Sequence, residues 1–291
     1  MFEAHSGEFE ISSLTALSPL GGRYWDKVKD LSLLMSENVL IYFRVLVEFY
    51  TIDFHEFKIQ TTVTASSRVV DRWIFNIYHH IHLHRYRFHS DLIVGLDTEW
   101  RPNFEPETDN PVAILQLCAG HRCLIFKFLH ADTLPSSLVA FLGNKNITFA
   151  GMGIKEDGEK LFKDCGLRVS RAMDVGEMAV KKYSNWKELK YMGLKKLALT
   201  FTGKLMKKPK EITLSCWDAE ELSYAQVEYA CIDAFVSSQL GMHFKGVFES
   251  VHGVHQPVRT TSTCPLTPTR FVTSPLTPTR IVPVIYYPIV I

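Results

Sequence analysis

The sequence predicts an α/β domain, a mixed β-sheet with both faces covered by helices. Three observations lead there. Leu92-Ile93-Val94-Gly95-Leu96 is a short apolar run without helical spacing, as in a strand buried on both faces. Val112–Cys118 and Cys123–Phe126 are two more such runs around Gly120-His121-Arg122, which reads as a hairpin. Helical stretches alternate with these runs: Ser67 through Ile77, Leu134–Leu142, and one through Leu161 and Phe162. That alternation builds layered sheet-and-helix folds.

In chain order, residues 12–24 are turn-rich, and apolar residues from Val28 to Phe43 recur at three and four, predicting one or two amphipathic helices that end near Glu48. Lys58–Thr64 is rich in branched residues and reads as a strand; Ser66-Ser67 then opens a helix. His79, His80, His82, His84 and His89 fit no single helix face and read as surface or helix-end groups. Pro102, Pro106 and Pro111 mark a loop. Ile147–Ala150 is a further strand, and Asp218–Ala234 reads as two helices or one with a break. In the tail, Cys264–Val272 recurs ten residues on as Ser274–Val282. Its prolines predict a disordered or extended arm.

Composition narrows the classes. Of 291 residues 46% are apolar and 22% charged, an ordinary globular balance. No apolar run reaches the roughly 18 residues of a membrane helix, and the first residues lack a secretory pattern. The six cysteines form no CxxC pair and no zinc spacing. They read as reduced, buried thiols, which points to the nucleus, the cytoplasm or both.

The chemistry-bearing residues are acids. Asp97 and Glu99 close the Leu92–Trp100 strand on one side of it. Two adjacent carboxylates are either solvated at a strand end or bridged by a divalent cation. Asp157 falls in the first turn of a helix, where the dipole favours negative charge. Tyr229 and Asp233 share a helix face, and Asp233 stands among apolar neighbours, a costly place unless it is paired or metal-bound. Residues 151–210 carry 15 Lys and Arg against 7 Asp and Glu, with Trp186 and Tyr191 interleaved, a pattern that suits a nucleic-acid backbone and a stacked base.

Asp97-x-Glu99, Asp157 and Tyr229-x-x-x-Asp233, in this order, resemble the motifs of the DEDD-type 3′–5′ exonucleases of the tyrosine subclass, in particular the Werner syndrome exonuclease type. Gly95–Trp100, Val112–Leu117, Gly151–Ile154 and Leu194–Ala198 support the likeness over residues 51–247. The resemblance implies a ribonuclease-H-like fold and metal-dependent hydrolysis of terminal phosphodiesters. It implies two ions, Mg²⁺ or Mn²⁺, held by Asp97, Glu99, Asp157 and Asp233, with Tyr229 orienting the attacking water. It also implies nucleic-acid contacts at Trp100, Lys195 and Lys196, DNA ahead of RNA as substrate, a role in DNA repair, and a RecQ-type helicase partner. No membrane partner is expected. The alternative is a non-catalytic binding module of the same fold, its cleft blocked by the leader or tail.

Leu17-Ser18-Pro19-Leu20-Gly21-Gly22-Arg23-Tyr24 and Tyr42–Glu48 are similar to the amino terminus of adenylosuccinate lyase. The rest of that enzyme's site is missing, so lyase activity is not expected. The expected organisation is a helical lyase-like segment over 1–50, an exonuclease domain over 51–247 and a Pro/Thr-rich tail over 248–291.

Overall fold

A computed structural model of the chain describes residues 47–84, 92–105 and 107–246. The expectations for the lyase-like segment up to residue 46, for His89 and for the tail from 247 onward fall outside these residues.

Seven strands form one sheet: β1 (Val47–Phe54), β2 (Phe57–Thr64), β3 (Leu92–Trp100), β4 (Val112–Ala119), β5 (Arg122–Lys127), β6 (Ile147–Gly151) and β7 (Ala172–Asp174). Their spatial order is β1-β2-β5-β4-β3-β6-β7. β1–β2, β5–β4 and β4–β3 pair antiparallel, while β2–β5, β3–β6 and β6–β7 pair parallel. The helices are α1 (Ser67–His84), α2 (Ser136–Leu142), α3 (Ile154–Cys165), α4 (Val175–Lys182), α5 (Leu194–Thr202), α6 (Lys210–Thr213) and α7 (Tyr224–Phe244). The mixed, helix-covered sheet is the one expected.

Several local expectations are corrected. Residues 47–50, expected to close a helix, begin β1, whose hairpin partner β2 fixes their extended geometry. Asp218–Leu222 is not helical. α7 starts at Tyr224 because Ser223 and Gln226 form a reciprocal capping box there. The amide of Ser67 donates to Asp132 Oδ1 at 2.8 Å, so α1 is capped from a distant loop. Cys216 is exposed rather than buried.

The alternation of side chains along β3 divides the core in two. Val94 and Leu96 pack with α1, α2 and α3 on one face. Ile93 packs with α4, α5 and α7 on the other. Gly95 lies on the α7 face, and a Cβ there would overlap the Ala234 carbonyl and fall 2.9 Å from Ser238 N. Strand and helix therefore meet backbone to backbone. Gly241, near the far end of α7, makes room for side chains of the sheet instead: a Cβ there would sit 2.7 Å from Ala150 Cβ and 2.8 Å from Met173 Cε. Thr61 Oγ1, donating to Cys231 Sγ at 3.0 Å, ties α7 to β2.

Gly95→Ala should therefore push α7 off the sheet. Overpacking of this kind costs about 1–3 kcal/mol, so the melting temperature should fall by roughly 5 °C in a domain of this size. An unchanged melting curve would refute the close approach.

Candidate active site

Asp97 and Glu99 stand two residues apart on the α7 face of β3, where the strand runs out of the core. Asp97 follows Gly95 on the same face, and Asp233 immediately precedes Ala234, so the contact that seats the helix also sets Asp97 beside Asp233. Asp233 is only 1% exposed. Lys208, from the segment between α5 and α6, reaches in and donates to Asp233 Oδ2 at 2.7 Å. Asp233 Oδ1 is buried with no hydrogen-bond partner. The Tyr229 hydroxyl engages Asp233 and Glu99, and its ring packs against Trp217 at 5.8 Å between centroids.

Asp157 approaches differently. Thr98 points to the opposite face of β3 from Asp97 and Glu99, and its hydroxyl donates to Asp157 Oδ1 at 2.9 Å. Asp157, in the first turn of α3, is 7% exposed and adds to the field felt by Asp97 and Glu99. The structure thus brings Asp97, Glu99, Asp233 and Tyr229 together, with Asp157 at the rim of the group. Among the described residues no three His, Cys, Asp or Glu side chains converge tightly enough to hold one ion as they stand.

The charges respond to this crowding. Burial first, then the neighbouring Asp233, Glu99 and Asp157, raise the Asp97 carboxyl well above its ordinary range. Burial and Asp233 push Glu99 up to about 8, with Lys208 pulling the other way. Asp157 is pushed up to about 7, chiefly by burial, although the Thr98 hydrogen bond opposes this. Asp233 is also raised by burial, against the pull of Lys208. Burial works against the charge on Lys208, but the carboxylates around it hold its pKa above normal. Burial and the same acids raise the Tyr229 phenol, so it stays protonated and acts as a hydrogen-bond donor.

The donor set is all oxygen and includes a buried acceptor with nothing to accept, which suits a hard divalent cation and not zinc with thiolates. Lys195 and Lys196 line the same cleft as Asp97 and Asp233, together with Tyr191, which is 75% exposed. Trp100 does not line it and lies under the Lys160 ammonium at 5.2 Å. Trp186, read from sequence as a stacking residue, packs on Phe201 at the core margin. Lys208 and Thr98 are the site residues that sequence reasoning missed. Nothing in the spacing of Lys207-Lys208-Pro209 marks one lysine as different from its neighbours, whereas Thr98, lying between the two acids, was at hand.

Three comparisons bear on this arrangement. A protein-family model described as "3'-5' exonuclease" matches residues 83–246. A "3'-5' exonuclease" of Arabidopsis thaliana is 33% identical over 162 residues, 55% of this chain and 55% of that protein. The mouse "Bifunctional 3'-5' exonuclease/ATP-dependent helicase WRN" is 33% identical over 144 residues, 49% of this chain and 10% of that protein. The chain thus spans about half or less of the length of these curated relatives. Among solved structures, Escherichia coli RNase D superposes with a TM-score of 0.51 at 17% identity, covering 64% of this chain and 46% of that one, which is a likeness of fold.

The raised carboxyls predict how stability follows pH. In the unfolded chain Glu99 and Asp157 ionise near their ordinary values of 4.5 and 3.8, and in the fold only near 8 and 7. Between those limits the folded state holds protons that the unfolded state has released, so stability falls as pH rises. The melting temperature in EDTA should therefore drop from pH 5 to pH 8, and Glu99→Gln should flatten that drop. A rise over the same range would overturn the reading.

Proposed function

The chain belongs to the 3′–5′ exonuclease family, and we infer from that premise that it removes nucleotides from the 3′ end of nucleic acid by metal-dependent hydrolysis. The observation that carries this reading is the group formed by half-buried Asp97 and Glu99 with buried Asp233, whose Oδ1 atom is left unpartnered.

Members of this family generally use divalent metals. Here Asp97, Glu99 and Asp233 would hold them, with Asp157 contributing through water, and Mg²⁺ or Mn²⁺ suits these oxygens. When bound, two such ions supply water activation at neutral pH and offset the charge that develops on the entering and leaving oxygens. Tyr229, protonated and anchored at Asp233 and Glu99, orients the water that attacks the phosphate. Lys208 offsets part of the negative charge of the pocket before a cation arrives. Thr98 fixes the rotamer of Asp157. Lys195 and Lys196 contact the phosphate chain, and Tyr191 offers a face for the terminal base. The likeness to the mouse exonuclease/helicase supports a helicase as partner, and with it we propose DNA ahead of RNA as substrate and a nuclear role in repair.

A 3′-recessed duplex labelled at its 5′ end tests this. Mg²⁺ or Mn²⁺ should give a ladder of shortened strands, and EDTA should give none. Asp97→Asn and Asp233→Asn should each lower the rate by about 10³-fold while leaving the fold intact, as loss of a principal charge-stabilising group does. Tyr229→Phe should cost about 10²-fold through misplacement of the nucleophile. Binding without shortening under both metals would reject the enzyme and favour a non-catalytic module.

A further inference from the structure

The cleft above the acids encloses about 400 Å³, and its second wall has a chemistry that hydrolysis alone leaves unused. Gly193, Leu194, Lys195 and Lys196 form that wall, across from Asp97 and Asp233. α5 starts there with Gly193 as its N-cap, which has no side chain to accept a hydrogen bond, and no acid stands in its first turn. The amides of Lys196 and Leu197 donate back to the Gly193 carbonyl. Those of Leu194 and Lys195 find no acceptor among the described residues. The starts of α4 and α7 are closed by comparison, one by Asp174 and the other by the Ser223–Gln226 box.

Two free amides, the positive end of a nine-residue helix and two lysines in its first turn make a wall that receives an anion. A second observation, apart from the helix start, points to a ligand in the same cleft. Asp233, almost fully buried, lines it with one carboxylate oxygen unpartnered. One wall calls for cations and the facing wall for an anion, and a 3′ nucleic-acid end brought in with divalent ions satisfies both.

We propose that the α5 N-terminus is a subsite for a phosphate other than the one being cut. Its source is either the linkage one step upstream of the scissile bond or a phosphate carried on the 3′ end. The inference rests on the exonuclease reading and deepens it.

Gly193 keeps the subsite open. Its φ of −77° and ψ of 172° suit any residue, and nothing lies within 4 Å of a Cβ built on it, so neither strain nor packing demands glycine. Asp or Ser there would cap the free amides and strengthen the helix. An open helix start at this place thus gives up stability and leaves donors facing the cleft.

The test is Gly193→Asp in the full chain. Its melting temperature should equal or exceed that of wild type. Its Kd for a fluorescein-labelled single strand of about ten nucleotides, read by anisotropy in Ca²⁺ or EDTA, should weaken about tenfold, the scale of one lost charge-assisted contact. In Mg²⁺, KM should rise by a similar factor while kcat changes less. Gly193→Ser, a neutral cap, should shift both constants less than Asp does. A methylphosphonate one linkage upstream that weakens wild type, yet weakens Gly193→Asp no further, assigns the anion to that linkage. A 3′-phosphate that tightens wild type, with the gain lost in Gly193→Asp, assigns it to the terminus. Wild-type Kd and KM in a well-folded Gly193→Asp protein would overturn the subsite. If the binding effect persists but wild type never hydrolyses the strand, the subsite stands and the exonuclease reading falls.

Discussion

Like charges buried side by side repel, and the molecule is arranged so that they cannot separate. Gly95 lets α7 lie directly on β3, and Gly241, towards the far end of the helix, makes room for the side chains of Ala150, Met173 and Ile93. With the helix seated at both places, Asp233 has no freedom to retreat from Asp97. The response falls on the protons instead. Burial raises every carboxyl in the group, repulsion from the neighbouring acids adds to it at Asp97 and Glu99, and Lys208 supplies a partial counter-charge at 2.7 Å. A polar cluster this costly survives because the apolar contacts around α7 outweigh it, and it leaves a pocket predisposed to take up further positive charge.

The period of two along a strand explains why the acids do not form a single row. Asp97 and Glu99 share the α7 face, while Thr98, between them, belongs to the α3 face and carries Asp157. The site is thus assembled from both layers across the end of one strand, where the pairing with β4 is irregular between Glu99 and Trp100. Displacing either layer would disturb it. The same alternation sends Trp100 towards Lys160 and away from the cleft.

Much of this was legible in the chain. Leu92–Leu96 has no polar residue to spare for solvent, so its burial on two faces could be read directly. The four-residue spacing of Tyr229 and Asp233 placed both on one helix face before any fold was known. What was illegible depends on distant partners. Val47–Phe54 carries apolar residues at spacings that also suit a helix end, and only its pairing with β2 decides for strand. Asp218–Leu222 is polar enough for an exposed helix, but Arg101 takes Asp218 in an ion pair at 3.3 Å, and the capping box starts the helix later. Lys208 lies 25 positions from Asp233, and no local pattern announces such a contact.

The basic tract shows how local pairing sharpens a broad charge excess. Lys155 pairs with Glu177, Lys160 with Asp109 and Asp164, Lys163 with Asp109, and Lys204 with Glu56. Those ammonium groups contribute little field beyond their partners. Lys195 and Lys196 have no carboxylate partner among the described residues, and they stand on the cleft at the positive end of α5. Part of the tract's positive charge therefore faces the acids across one small cavity. A polyanion entering there is drawn by one wall and repelled by the other unless cations intervene. Phosphate and divalent metal consequently favour each other's binding, each reducing the penalty the other would meet alone.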